Sequence, residues 1–111
     1  MKKKFRIKKN EEFQKIIYKR HSTANKSFIL YYDIKKEEKA RVGISVSKKM
    51  GNAVVRNKIK RQIRMMVDDI FSYNSADYDI IVIVRPNYSK QKYQINKKDL
   101  EYSFKHAKMK R

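Results

Sequence analysis

The 111-residue sequence contains no cysteine and no tryptophan, a single proline and two glycines. Without cysteine there is no disulfide framework, no thiol nucleophile and no thiolate metal site. Long hydrophobic runs are also missing. The longest, residues 80–84, falls far short of the ~20 residues that cross a bilayer. The N-terminal MKKKFRIKKN is basic but leads into no apolar stretch, so no signal peptide is expected and the expected location is the cytoplasm. Carboxylates are scarce: 11 Asp and Glu stand against 30 Lys and Arg, a formal net charge of +19. Between Glu38 and Asp68 there is none at all.

What is present is enough for one folded domain spanning residues 1–111. The hydrophobic fraction is 41% and includes eight Tyr and five Phe, which excludes a disordered basic tail. A charge of this size repels itself in the compact state and draws the chain to polyphosphates. Residues 2–9 hold six Lys and Arg and read as a basic, partly mobile arm.

The apolar periodicity gives the element order. Phe13, Ile16 and Ile17 recur at helical spacing over residues 11–19, with Asn10 as N-cap and Glu11 and Glu12 in the first turn. From Lys26 the period becomes two: Phe28, Leu30, Tyr32 and Ile34 share one strand face, Ser27, Ile29, Tyr31 and Asp33 the other. After a KKEEK connection, residues 40–47 alternate again, and the two strands read as an antiparallel pair. One face of the second strand is aliphatic, while Arg41, Gly43 and Ser45 make the other small and polar, a face expected to carry no packed helix. Gly51 and Asn52 supply a turn and an N-cap for a helix over residues 53–71, with Val55, Ile59, Ile63, Met66, Val67 and Ile70 inward. YDIIVIVR at residues 78–85 is continuous enough for a central strand covered on both faces, and Pro86 ends it. A last helix from about Asn96 carries Leu100, Phe104 and Ala107, with Lys105, Lys108, Lys110 and Arg111 towards its end. Helix, strands, helix, strand, helix make a small α/β sandwich.

The most informative stretch is residues 45–64, SVSKKMGNAVVRNKIKRQIR, with seven Lys and Arg. Arg56, Lys60 and Arg64 sit four apart on one helical stripe, widened by Asn57, Lys58 and Arg61. An ordinary solvated face mixes in carboxylates, because opposite charges at this spacing stabilise a helix by roughly 0.2–0.5 kcal/mol per pair and like charges cost as much. Only Asp68, four beyond Arg64, offers such relief. A local rule broken without local gain marks an interaction surface. The helix's apolar side is needed to cover the sheet, so it is not free to enter a membrane, and nucleic acid is the favoured partner. Lys48, Lys49 and the amides after Gly51 are placed to hold phosphate, although the order of a nucleotide-binding P-loop is absent. Phe13 and Tyr31 are candidates to face the small polar side of the sheet, where aromatics beside cations stack single-stranded bases; core burial of Phe13 is the competing reading. His21 and His106 are far apart, and the acids Asp68, Asp69, Asp77 and Asp79 lack the convergence of a two-metal nuclease.

The run VGISVSKKMGNAVVRNKIKRQIR resembles the signature of the protein subunit of bacterial ribonuclease P, and RIKKNEEFQKI, HSTANKSFILYY and DIIVIVRP extend the resemblance in order and spacing over most of the chain. It implies an α/β sandwich with a small mixed sheet, similar to domain IV of the translocating elongation factor. It also implies a left-handed βαβ crossover through the basic helix, where general chain geometry gives a right-handed one in about 98% of cases. In that family a magnesium-dependent catalytic RNA removes the 5′ leader of precursor tRNA and the protein assists. By position, Lys48, Lys49, Arg56, Asn57, Lys58, Lys60, Arg61 and Arg64 would contact the catalytic RNA, and Phe13, Ile17, Phe28 and Tyr31 would form the leader cleft. No catalytic residue, no metal ligand and no tightly bound cofactor is expected on this chain, and no membrane or obligate protein partner. Two positions depart from the family pattern. Lys58 stands where Arg is usual, keeping charge but losing the planar fork, and Ile17 stands where an aromatic is common. The expected function is an RNA-binding subunit of ribonuclease P; the alternatives are a structural RNA-binding protein of ribosomal or chaperone type and, less favoured, an autonomous nuclease.

Overall fold

The two strands richest in β-branched and aromatic residues form the middle of the sheet. β2 (Phe28–Ile34) and β4 (Tyr78–Val84) pair antiparallel, from Phe28 opposite Val84 to Ile34 opposite Tyr78. β1 (Ser22–Ala24) pairs antiparallel on the outer side of β2, and β3 (Val42–Ser45) runs parallel to β4, giving the order β1-β2-β4-β3. The computed structural model describes residues 1–109, with side chains through residue 107. Lys110, Arg111 and the side chain of Lys108, expected at the end of the last helix, therefore lie outside the described residues.

The expected antiparallel pairing of the second and third strands does not occur, because β4 lies between them. The physical reason is in β4 itself. Ile80, Val82 and Val84 face one core and Ile81 and Ile83 the other, so this strand is stable only at the centre. β3 then joins β4 through a crossover helix, as parallel neighbours require. β3 is also shorter than residues 40–47. The short strand β1 was not foreseen; Asn25 turns it into β2, its Oδ1 accepting from the backbone N–H groups of Ser27 and Phe28 at 3.0 and 2.9 Å.

α2 (Ala53–Ile70) starts where Asn52 Oδ1 accepts from the Val55 N–H at 3.0 Å, the expected cap. Ile59, Ile63, Met66 and Val67 are buried on it. Val55 is not part of that stripe: it lies against Gly51 and is 40% exposed, since the first turn stands off the sheet. α3 (Tyr93–Met109) begins ahead of the expected Asn96. With α2 it covers one sheet face, where Leu30, Val82, Ile63 and Leu100 are fully buried. α1 (Asn10–Tyr18) lies against β2 and β4 on the other face, where Ile16 joins Ile7, Ile81, Phe13, Tyr31 and Ile83. Asn10 is its first helical residue rather than a side-chain cap, and Lys9 precedes it without capping. The α/β sandwich with a small mixed sheet is as expected.

Phe28 requires a correction. It is 0% exposed in the main core, with its ring edge-on to Tyr88 at 5.8 Å, and so is not in a cleft with Phe13. Alternate strand residues point to opposite faces, so Phe28 shares its side with Leu30 and Tyr32, and Tyr31 looks the other way. The two roles separate on mutation. Phe28→Ala should cost about 3–5 kcal/mol in urea unfolding, whereas Tyr31→Ala, at a half-buried position, should cost markedly less. Equal losses would contradict this division of faces.

Candidate nucleic-acid interface

The site is built around the seat of α1 on the sheet. Gly43 leaves room for the Phe13 ring: a Cβ at Gly43 would stand 2.6 Å from Phe13 Cζ and 2.9 Å from Ile81 Cδ1. The small side of β3 is thus covered by a helix at Gly43, contrary to expectation, while Ser45 further along remains half-open. A second fastening comes from Arg41, buried beside the same strand. Its guanidinium reaches Glu12 of α1 at 2.7 Å, Asp79 of β4 at 3.5 Å and Glu37 at 3.6 Å, and its backbone N–H donates to Asp79 Oδ1 at 2.9 Å. Burial opposes the charge of Arg41, but the Glu12 hydrogen bond and the surrounding carboxylates outweigh it and its pKa is raised. Burial also raises the pKa of Asp79, partly countered by Arg41.

The N-terminal segment, expected as a partly mobile arm, runs along the edge of β3. Arg6 bridges Val42 in parallel, and the Ile7 N–H donates to the Val42 carbonyl at 3.1 Å. Phe5 stacks on Tyr73 with ring centres 4.1 Å apart. Beyond Val42 no strand pairs with this edge of β3 among the described residues. There a groove of about 480 Å³ opens between α1, the N-terminal segment and α2. Phe13 lies on one side, Lys60 and Arg64 on the other, with Arg6 and Lys8 from the N-terminal segment and Ser45 on the strand; no carboxylate lines it.

Arg6 and Arg64 line this groove together. Burial first, and then the charge of Arg6, lower the pKa of Arg64. Arg6 Nη2 donates to the Met1 carbonyl at 2.9 Å, but its Nε is buried without a partner. Asp68, expected to relieve Arg64, instead accepts from the Tyr73 hydroxyl at 2.9 Å and the Met1 amino group at 2.5 Å. Along the rest of α2, Asn57, Lys58 and Arg61 are exposed, and Arg56 donates from Nε to the Gly51 carbonyl at 3.2 Å. Among the described residues none of the five cations of α2 is ion-paired with a carboxylate. Lys48 and Lys49 are exposed in a 3-10 turn just before α2, where Ser47 Oγ accepts from the Lys49 N–H at 3.1 Å.

The structure therefore brings Phe13, Lys60 and Arg64 into one groove. Tyr31 sits against the same apolar cluster as Phe13, and Ile17 is half-buried on α1. Arg56, Asn57, Lys58 and Arg61 continue outward along α2. Sequence reasoning missed Arg6 and Arg41. Arg6 was one cation among six; the signal was the alternation of Phe5 and Ile7 around it, which marks an extended segment. Nothing local distinguished Arg41, because its partners lie on three other segments.

The ribonuclease P family model matches residues 1–108. The chain is 47% identical to the ribonuclease P protein component of Bacillus cereus (strain AH187), covering all of this chain and 97% of that one. A solved mutant of the Staphylococcus aureus RNase P protein, with defective mRNA degradation activity, is similar with a TM-score of 0.83 and 46% identity, covering 96% of this chain and 90% of that one. The Thermotoga maritima RNase P protein, at 24% identity and a TM-score of 0.72, shares the fold over 86% of this chain and 90% of that one. The single mixed sheet with its basic crossover helix is a small α/β domain with a cationic face, and this chain belongs to the ribonuclease P protein family.

The Gly43 seat has a direct test. Gly43→Ala should destabilise the protein by about 1–3 kcal/mol, as overpacking does, and a smaller residue in Phe13→Leu should recover part of that loss in the double variant. Additive losses in a double-mutant cycle would show that the Phe13 ring does not rest on Gly43.

Proposed function

We propose that α2 docks on the catalytic RNA of ribonuclease P and that the groove beside α1 holds the 5′ leader of precursor tRNA. The observation that carries this reading is the groove itself: Arg6, Lys60 and Arg64 converge beside Phe13 with no carboxylate among its lining residues. A phosphodiester backbone would relieve the repulsion between Arg6 and Arg64. The half-exposed Phe13, with Tyr31 and Ile17 nearby, would contact the unpaired leader bases, mostly through apolar surface because Ile17 is not aromatic. Arg56, Asn57, Lys58, Lys60, Arg61 and Arg64 would grip the catalytic RNA, with Lys48 and Lys49 holding phosphates where the docking face meets the leader path. Phe28 has no part in this.

In this mechanism the protein supplies charge and position. Neutralising phosphates on both RNAs lowers the repulsion between them, and a held leader places the scissile bond at the RNA active site. The cleaving groups and the required magnesium belong to the RNA component; among the described residues of this chain no three His, Cys, Asp or Glu side chains converge to hold a metal. No helix among the described residues is long and apolar enough to cross a membrane. The reading places the protein in the cytoplasm, with no obligate protein partner.

The test is reconstitution of purified protein with precursor tRNA and magnesium, with and without catalytic RNA. Leader removal stimulated only in the presence of the RNA is expected. Cleavage by the protein alone would mean an autonomous nuclease, and no stimulation in either case a structural RNA-binding protein. Arg56→Ala should lower the slope of log affinity for catalytic RNA against log salt by about 0.9, one phosphate contact; an unchanged slope removes Arg56 from the docking face. Phe13→Ala should weaken binding of precursor more than of mature tRNA, whereas equal weakening would assign Phe13 to the core alone.

A further inference from the structure

A second groove, about 370 Å³, lies between the first turns of α2 and the start of α3. Its volume falls in the range of small-ligand sites, roughly 300–1,000 Å³. Val54 and Val55 come from α2 and Tyr93 from α3, with Lys58, Gln62 and Ser89 also on the lining. Val54 is 77% exposed and Val55 40%, so both valines lie largely outside the core. Gln62 is held by one end only. Its Oε1 accepts from the buried Tyr88 hydroxyl at 2.7 Å, which leaves the two amide N–H donors without a partner among the described residues.

We propose that this groove takes one unpaired base of the RNA that docks on α2. The faces of the base meet Tyr93 and the two valines, a carbonyl on its edge accepts from the Gln62 amide, and Lys58 takes the adjoining phosphate. The inference rests on the docking role proposed for α2, since Lys58 belongs to both surfaces. Charge selects this occupant over others. No carboxylate lines the groove, Lys90 and Lys92 are exposed on the chain between Tyr88 and Tyr93, and a second copy of a chain with net charge +19 would be repelled. A flat ring with polar edges and a neighbouring anion matches apolar walls, amide donors and a lysine.

The experiment uses the full chain and the catalytic RNA. A benzophenone amino acid placed at Val54 should crosslink to an unpaired nucleotide. Replacing that nucleotide by an abasic residue should weaken binding of the unaltered protein roughly tenfold, and should have little further effect on a Val54→Ser, Val55→Ser variant. That variant keeps every charge, so its salt slope should match the unaltered protein while its affinity falls. Val54→Ser alone, at a mostly exposed position, serves if urea unfolding shows the double variant to be destabilised. Crosslinks only to paired RNA, only to a second copy of the chain, or to nothing would overturn the proposal, as would full abasic sensitivity in the valine variants. A normal salt slope that responds to Arg56→Ala, with no effect of the valines, would sink the base site and leave the docking face standing. A slope indifferent to Arg56 would sink the docking face instead.

Discussion

The architecture of the interface depends on how closely α1 can approach the sheet. Gly43 has no side chain, and the Phe13 ring occupies the space that a Cβ would fill. Arg41 fastens the same helix by charge, reaching Glu12 from a buried position that also serves Asp79. Arg41 keeps its charge in this buried position because Glu12, Glu37 and Asp79 all face it, so loss of Glu12 would loosen α1 while the other two carboxylates still compensate the guanidinium. With α1 seated, Phe13 faces the cations of α2 across the open end of β3; with α1 lifted, the groove loses its apolar wall.

The second constraint is repulsion. The N-terminal segment adds to the edge of β3 only as far as Val42, and this brings Arg6 towards Arg64. Pairing hydrogen bonds, the burial of Ile7 and the Phe5–Tyr73 stack hold the segment in place against that charge. The carboxylate nearest in sequence, Asp68, is engaged by Tyr73 and the Met1 amino group and does not neutralise the groove. A groove lined by cations and no carboxylate leaves their repulsion for a bound anion to relieve, and the affinity of such a surface for a phosphate backbone should depend steeply on salt.

How much of this was legible in the sequence follows from the range over which each feature is determined. Local signals were reliable: the Asn52 cap, the buried stripe Ile59–Ile63–Met66–Val67 and the continuous strand ending at Pro86 each reflect neighbours within a turn or a strand. Strand partners were not local. The hairpin rule favoured pairing the strands on either side of KKEEK, but β4 has apolar residues on both faces and took the central place. Alternation already placed Phe28 opposite Tyr31, so grouping both in one cleft by resemblance conflicted with strand geometry that was available from the start. Arg41 was illegible for a different reason: its role exists only once α1, β4 and the chain before β3 meet around it.

The groove also alters how the basic residues of α2 divide. Lys60 and Arg64 line the same cavity as Phe13, whereas Arg56, Lys58 and Arg61 lie outside it. One helix therefore presents two surfaces, an outer one free for docking and an inner one shared with α1. The helical rotation of about 100° per residue produces this split, and the burial of Ile59 and Ile63 against the sheet sets which cations face inward. In the proposed function the apolar stripe thus does more than hold the helix down: by fixing which cations turn towards Phe13, it decides which of them would meet the leader as well as the catalytic RNA. Because both sets of cations sit on one helix, catalytic RNA docked on the outer surface and leader held on the inner one, as proposed, would be kept in a fixed geometry, as positioning a scissile bond requires.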